Sequence, residues 1–429
     1  MNIQLIMNEF FIHYLWENKL LKPGLQTTEK EPIQILHPGM RNADAGPDFL
    51  NARIKIGETT WAGNVEIHTL ASDWYKHHHD QDKAYENVIL HVVYADDKTV
   101  YDSQRKPLQT LEIKDKYPSE VLLKYRMFVD SKQWIACENQ LHEVQWFTWL
   151  SWLDRMIAER LEHKTSIVYA MLAQNNNDWE VSFYQLLLSN FGFKVNQAPF
   201  ERLGKIMPLS VLLRHRDNLF QLEALLFGTA GLLSNDFEDD YAVSLKKEYD
   251  FLRHKYGLSQ MQAQEWRFMR MRPVNFPTIR LSQLAALIYK NGKLFSNIRY
   301  TKTTEEIIAY FRVEASDYWT NHYQFDKPSA GKPKKLGESA IHILLINAVV
   351  QTLFAFGKTH QDQQMQDKAL MLLESVDAEN NNLIRKFEQS GLKVSNAMHS
   401  QALIYLHQSY CKPRRCLECR VGHVLLRKN

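Results

Sequence analysis

The sequence predicts an α/β domain at the N-terminus followed by a mostly α-helical region. Alternating or continuous apolar runs of strand length fall within roughly the first 115 residues. From residue 118 onward, long patterns with a period of 3.6 take over. At 429 residues the chain exceeds one compact core, so two or three domains are expected. The expected segments are 1–117, 118–326 and 327–429.

Phe10, Tyr14, Leu15 and Trp16 recur at helical spacing, which predicts a helix over 3–20 ending before Lys22-Pro23-Gly24. Ile33 to Leu36 reads as a short strand. Phe49 to Ile56 alternates, Trp61 to His68 is extended, and Gly57-Glu58-Thr59-Thr60 between them suits a hairpin turn. Ser72 to Asp82 reads as a helix with Ser72 as N-cap. Val88 to Tyr94 is a continuous apolar run suited to a buried central strand, and Leu108 to Ile113 is a further strand. Helices are then expected over 118–130, 145–173, 179–191, 207–233, 241–256, 280–291, 303–313, 340–356, 365–389 and 396–410. Lys327 to Lys335, rich in Pro, Gly and Lys, is the most linker-like stretch.

The hydrophobic fraction of 45% and charged fraction of 24% are those of a globular protein. A net charge of +3 neither demands nor excludes a nucleic-acid partner. No uninterrupted apolar run reaches the ~20 residues of a membrane span, and the first residues lack the layout of a signal peptide. No membrane association and a cytoplasmic location are the expectations; oligomeric state stays open. The Gly-x₄-Gly-Lys-Ser/Thr phosphate loop, the Gly-x-Ser-x-Gly elbow, the dinucleotide fingerprint and the kinase signature are all missing from the sequence. Phe227-Gly228-Thr229-Ala230-Gly231 predicts close helix packing or a break. Arg270, Arg272 and Arg280 bracket a rigid loop, Pro273 to Pro277, with Asn275 as its expected polar anchor.

Chemistry concentrates between Asp44 and His91. Asp48 follows a Gly46-Pro47 turn, and Glu66 and His68 stand two apart on an expected strand, so they share a face that Asp48 on the paired strand can meet. Two carboxylates are the hard ligands of Mg²⁺ or Mn²⁺, and such a metal activates water and neutralises phosphate charge. Asp73, His77, His78, His79, Asp80 and Asp82 crowd into the next segment. A rival reading makes His68, His77 and His79 a zinc site, although residues two apart point away from each other on a regular helix. His91 is expected to be a hydrogen-bonded core residue.

Pro47-Asp48 followed by Glu66-Ile67-His68 resembles the PD-(D/E)xK, or restriction-endonuclease-like, nucleases. The resemblance implies a mixed sheet of that fold and a metal-dependent nuclease acting on DNA or RNA. Asp48 and Glu66 would bind metal, His68 would orient the water, and His77 and His79 would be accessory. Histidine stands where lysine is usual, and only lysine is a permanent cation at neutral pH. Some of these nucleases add an acid from an early helix, which here would be Glu9. The same fold retained without hydrolysis, as a nucleic-acid-binding scaffold, is the alternative, and a zinc-dependent hydrolase is a third. At full length the chain resembles a bacterial family of uncharacterised proteins, a domain of unknown function. That resemblance rests on Asp44 to Phe49, Trp61 to His68, Asp73-Trp74 with His77, His79, Asp82 and Tyr85, and Asn87 to Val93. It extends through Trp134 to Glu138, Glu223 to Leu233, Arg272 to Pro277 and Tyr410 to Gly422.

The four cysteines include a C-x₄-C-x₂-C cluster, Cys411, Cys416 and Cys419. With His423 or the distant Cys137 they make a ligand set for zinc, or for an iron–sulfur cluster if all four ligands are thiolates. Some RecB-like nucleases tie distant chain segments together with such a cluster, at a different cysteine spacing. The basic residues around it, among them Lys412, Arg414, Arg415 and Arg420, suit phosphate contact or solvation.

Overall fold

The computed structural model describes residues 7–428 and shows a mixed sheet in the N-terminal region followed by a mostly helical region. Its contacts gather into two compact units. One comprises Met1–Trp152, Ser390–Leu392 and Leu406–Asn429; the other comprises Leu153–Gln389 and Lys393–Tyr405.

The first unit opens with α1 (Glu9–Glu17), whose N-cap Asn8 side chain accepts the Phe11 N–H at 3.0 Å. The expected start at residue 3 lies outside the described residues. The strands are β1 (Ile33–His37), β2 (Met40–Arg41), β3 (Phe49–Ile56), β4 (Thr59–Leu70), β5 (Val88–Ala95) and β6 (Thr110–Glu112). Their order is β1-β3-β4-β5-β6, with β2 also paired to β3. The first three of that order form an antiparallel meander, and β4, β5 and β6 run parallel. β4 is central; β5, between β4 and the edge strand β6, is apolar, as a strand covered on both faces must be. The β3–β4 register shifts between Phe49 and Ala52, where Asn51 takes a left-handed conformation at φ 58°.

The expected helix over 72–82 is broken. α2 covers only Asp73–Lys76, His78 turns left-handed at φ 61°, and a 3₁₀ turn follows at His79–Gln81. The Ser72 side chain makes no cap; Asp73 Oδ2 instead accepts the Leu70 N–H at 3.0 Å. Asp82 caps the next 3₁₀ turn, Lys83–Tyr85, by accepting the Ala84 N–H at 2.9 Å. The unit is completed by α3 (Ser119–Asp130) and by elements described below.

α4 (Trp146–Gln174) begins in the first unit and continues into the second. The second unit then holds α5 (Trp179–Phe191), α6 (Gln197–Ile206), α7 (Leu209–Arg214), α8 (Leu219–Thr229) and α9 (Asp240–Tyr256). The helix expected over 207–233 is thus two, separated at His215–Asn218, where the Asn218 side chain caps α8. α10 (Pro277–Asn291), α11 (Leu294–Tyr300) and α12 (Thr304–Tyr310) follow, and α6 and α11 add to the helices the periodicity predicted. Gly228 on α8 lets α9 approach, because a Cβ there would stand 2.0 Å from the Tyr249 ring. Asn275 anchors its loop by accepting from Arg280 at 2.6 Å.

The stretch 327–335 is packed rather than free. Lys327–Pro328 (β8) pairs with His322–Gln324 (β7), and the buried Lys334 donates to the carbonyls of Thr320 and Lys332. α13 (Glu338–Leu344), a π turn and α14 (Val350–Thr359) run on as one apolar helix. It is long and apolar enough to cross a membrane, yet 83% of its apolar window is buried within the protein, as in a core helix. α15 (Gln363–Ser375) and α16 (Asn382–Gln389) divide the expected 365–389 helix. α17 (Ala397–Leu406) passes through a π turn at His407–Cys411, and α18 (Arg420–Arg427) lies against α3 in the first unit.

Candidate metal centre

Alternation along β4 turns Val65 and Ile67 to one face of the sheet, and Glu66 and His68 to the other, all four buried. Asp48, just ahead of β3, locks onto this strand in both directions. Its N–H donates to Glu66 Oε2 at 3.0 Å, and its Oδ2 accepts the Ile67 N–H at 2.9 Å. The same Oδ2 stands 3.2 Å from His13 Nε2 on α1. His13 was not singled out in the sequence, although its spacing of one helical turn from Glu9 was a usable signal. Glu9 is in electrostatic range of Asp48, His13, His77 and Asp73, and burial followed by the Asp48 charge raises its carboxyl above the usual range.

The left-handed residue His78 decides the histidine geometry. It reverses the chain between α2 and the 3₁₀ turn, so His77 and His79 converge instead of pointing apart. One nitrogen from each of His68, His77 and His79 lies within 4.8 Å of the other two. His68 Nε2 is 3.0 Å from His77 Nδ1, and Glu66 Oε1 is 3.5 Å from His68 Nε2 and 3.2 Å from His79 Nε2. The buried His79 Nε2 has no well-aligned hydrogen bond. Tyr85 stacks on the His79 ring, centroids 3.8 Å apart, and Trp74 meets it edge-on.

His91, fully buried on β5, hydrogen-bonds through Nε2 to His68 Nδ1 at 2.8 Å. That bond leaves His68 Nε2 as the nitrogen facing the cluster. Burial, then the neighbouring His91, His79 and His77, pushes His68 down to about 3; burial, then His79, does the same to His91. Both rings are therefore neutral at ordinary pH, the form that ligates metal. Burial raises the Glu66 carboxyl, with the contact to His79 opposing and the Asp48 charge adding. Asp73 accepts from the Leu70 N–H and from the Lys76 side-chain ammonium, and Asp82 caps its turn.

A cavity of about 890 Å³ opens on the His13 side. Its lining joins His13 and the aromatic Phe10 and Tyr14 to Arg41 and Arg414, with Glu17 and Glu418, so it is aromatic and of mixed charge.

The family described as Protein of unknown function (DUF2851) matches residues 9–382. The chain belongs to that family. No curated protein and no solved structure matches the chain significantly. The DUF2851 match takes in every residue of the histidine–carboxylate cluster and Cys137, and ends before the C-terminal cysteines.

In this DUF2851 protein the four cysteines converge within the first unit. Each of Cys137, Cys411, Cys416 and Cys419 lies in electrostatic range of the other three, and all are free of disulfides. Burial is the largest influence on each thiol and raises all four, Cys416 to about 11. His423 lies elsewhere: its ring meets Tyr14 edge-on at 5.5 Å, and its Nε2 faces Arg427 at 3.2 Å.

Proposed function

We propose that the first unit is a metal-dependent hydrolase of phosphodiesters in DNA or RNA, on a restriction-endonuclease-like arrangement. The convergence of His68, His77 and His79 beside Glu66 carries the reading. Three imidazoles with one carboxylate suit a borderline transition metal, zinc or iron, better than Mg²⁺. The unaligned Nε2 of buried His79 offers the unpartnered lone pair that a metal would satisfy. His91 fixes the ring of His68 from behind, the support that ligating histidines require.

His68, His77, His79 and Glu66 would hold the ion, which when bound acidifies water and offsets charge on phosphate. Asp48, held by the Ile67 N–H and facing His13, would orient and deprotonate the attacking water. The order of a helix, an antiparallel meander and a parallel crossover strand supports the nuclease-like arrangement, with Asp48 before the second meander strand and Glu66 on the third. The cavity favours a nucleic-acid substrate, since the exposed Arg41 suits phosphate and the exposed Phe10 suits a base.

The test is cleavage of labelled single- and double-stranded DNA and RNA with Zn²⁺, Mn²⁺, Mg²⁺ or EDTA. His77 is exposed, so His77→Ala leaves the fold intact. Cleavage that needs metal and falls at least ~100-fold in His77→Ala and Asp48→Ala is expected. Metal-loaded protein that cuts none of these substrates, or variants as active as wild type, would overturn the proposal.

A further inference from the structure

The second ligand-rich cluster in the first unit is built from thiols alone. The Cys411 side chain ends the π turn after α17, Cys416 sits in the following loop, and Cys419 is the N-cap residue of α18. Cys137 arrives from a segment more than 270 residues earlier in the chain. Arg414 joins the two segments by donating to the carbonyls of Ser131 and Gln133, each at 2.9 Å. Its guanidinium also lies in range of Cys137, Cys411 and Cys416, and so offsets the charge of several thiolates held together. The backbone N–H groups of Val421 and Gly422 at the start of α18 are directed at the Cys419 sulfur. Gly422 is required for this approach, because a Cβ there would stand 2.2 Å from the Cys416 carbonyl oxygen.

Spacing distinguishes what the thiols hold. One tetrahedral zinc with bonds of about 2.3 Å draws its sulfurs to about 3.8 Å of one another. Among the described residues, no three cysteine sulfurs lie within 4.8 Å of each other, although all four are in mutual range. A polynuclear cluster with one thiolate per iron holds its sulfurs farther apart, because bridging iron and sulfide lie between them.

We propose that Cys137, Cys411, Cys416 and Cys419 bind a four-iron, four-sulfide cluster that staples the C-terminal turn to the segment around Cys137. The site is separate from the histidine centre and stands whether or not that centre hydrolyses phosphodiesters. His423 takes no part, since Tyr14 and Arg427 occupy its ring.

Full-length protein purified anaerobically from iron-replete cells decides the matter, with iron, acid-labile sulfide and zinc measured per chain. About four iron and four sulfide are expected, with a broad visible absorption that dithionite bleaches. Cys137→Ala loses at least tenfold of the iron, whereas His423→Ala keeps it. Stoichiometric zinc without sulfide, reduced thiols without metal, or iron lost from His423→Ala but kept in Cys137→Ala would each overturn the proposal. Should Cys137→Ala fail to fold, the wild-type iron and sulfide content and the His423→Ala result still decide it.

Discussion

At the scale of single residues, burial governs how titratable groups behave. Glu223 on α8 is completely buried, and its carboxylate accepts from Tyr241 and, at 2.9 and 3.0 Å, from Ser316. Burial raises its pKa above the ordinary 4.5 despite those donors. The sign follows from linkage. Below 4.5 the group is protonated in both states and costs nothing. As pH rises further, the unfolded chain ionises first, and stability falls until the folded pKa is passed. Glu223→Gln removes this slope, so its melting temperature relative to wild type should rise between pH 4.5 and 8. A difference independent of pH would refute the account. Asp48, Glu66 and His68 could be singled out in the sequence because a strand period of two brings i and i+2 together. His13 could not be paired with Asp48, because that contact joins a helix to a strand start 35 residues away.

At the scale of elements, one backbone conformation assembles the histidine cluster. A regular helix over 72–82 would have separated His77 from His79; left-handed His78 brings them together. An L-residue there costs about 1–2 kcal/mol, and a β-branched one more. His78→Gly should therefore keep stability within about 1 kcal/mol and, on the proposed metal reading, bind zinc as well as wild type. His78→Val should lose about 1–2 kcal/mol and weaken zinc binding at least tenfold. Denaturant titration and competition with a chromogenic zinc chelator check both, and equal affinity in the two variants would refute the role given to His78. Sequence periodicity could not reveal this break, since nothing in His77-His78-His79 favours the left-handed region as glycine would. The breaks at 215–218 and 376–381 do carry a local signal: His215-Arg216-Asp217-Asn218 and Glu379-Asn380-Asn381 interrupt the apolar spacing, and Asn218 is a helix-capping residue type.

At the scale of the whole molecule, the chain closes its first unit with its last residues. α18 buries Val421, Leu425 and Leu426, each worth about 1.5–3 kcal/mol, and lies against α3. Lys428 also pairs with Glu143 at 3.1 Å. A chain ending at residue 405 should therefore lose several kcal/mol from the N-terminal unit while the helical unit stays folded. Limited proteolysis should then cut preferentially within 7–152; an unchanged digestion pattern would show that α18 is dispensable.

The sequence by itself determined the mixed sheet followed by helices, the hairpin carrying Asp48, Glu66 and His68, and membership of the DUF2851 family. These rest on local periodicity and on residue order, which a linear chain displays directly. Tertiary structure alone decided that His77 and His79 face His68, that His13 meets Asp48, and that Cys137 joins the C-terminal thiols while His423 turns to Tyr14. Each of these depends on a left-handed residue or on a contact between distant segments, and such pairings are set by packing free energy rather than by spacing along the chain.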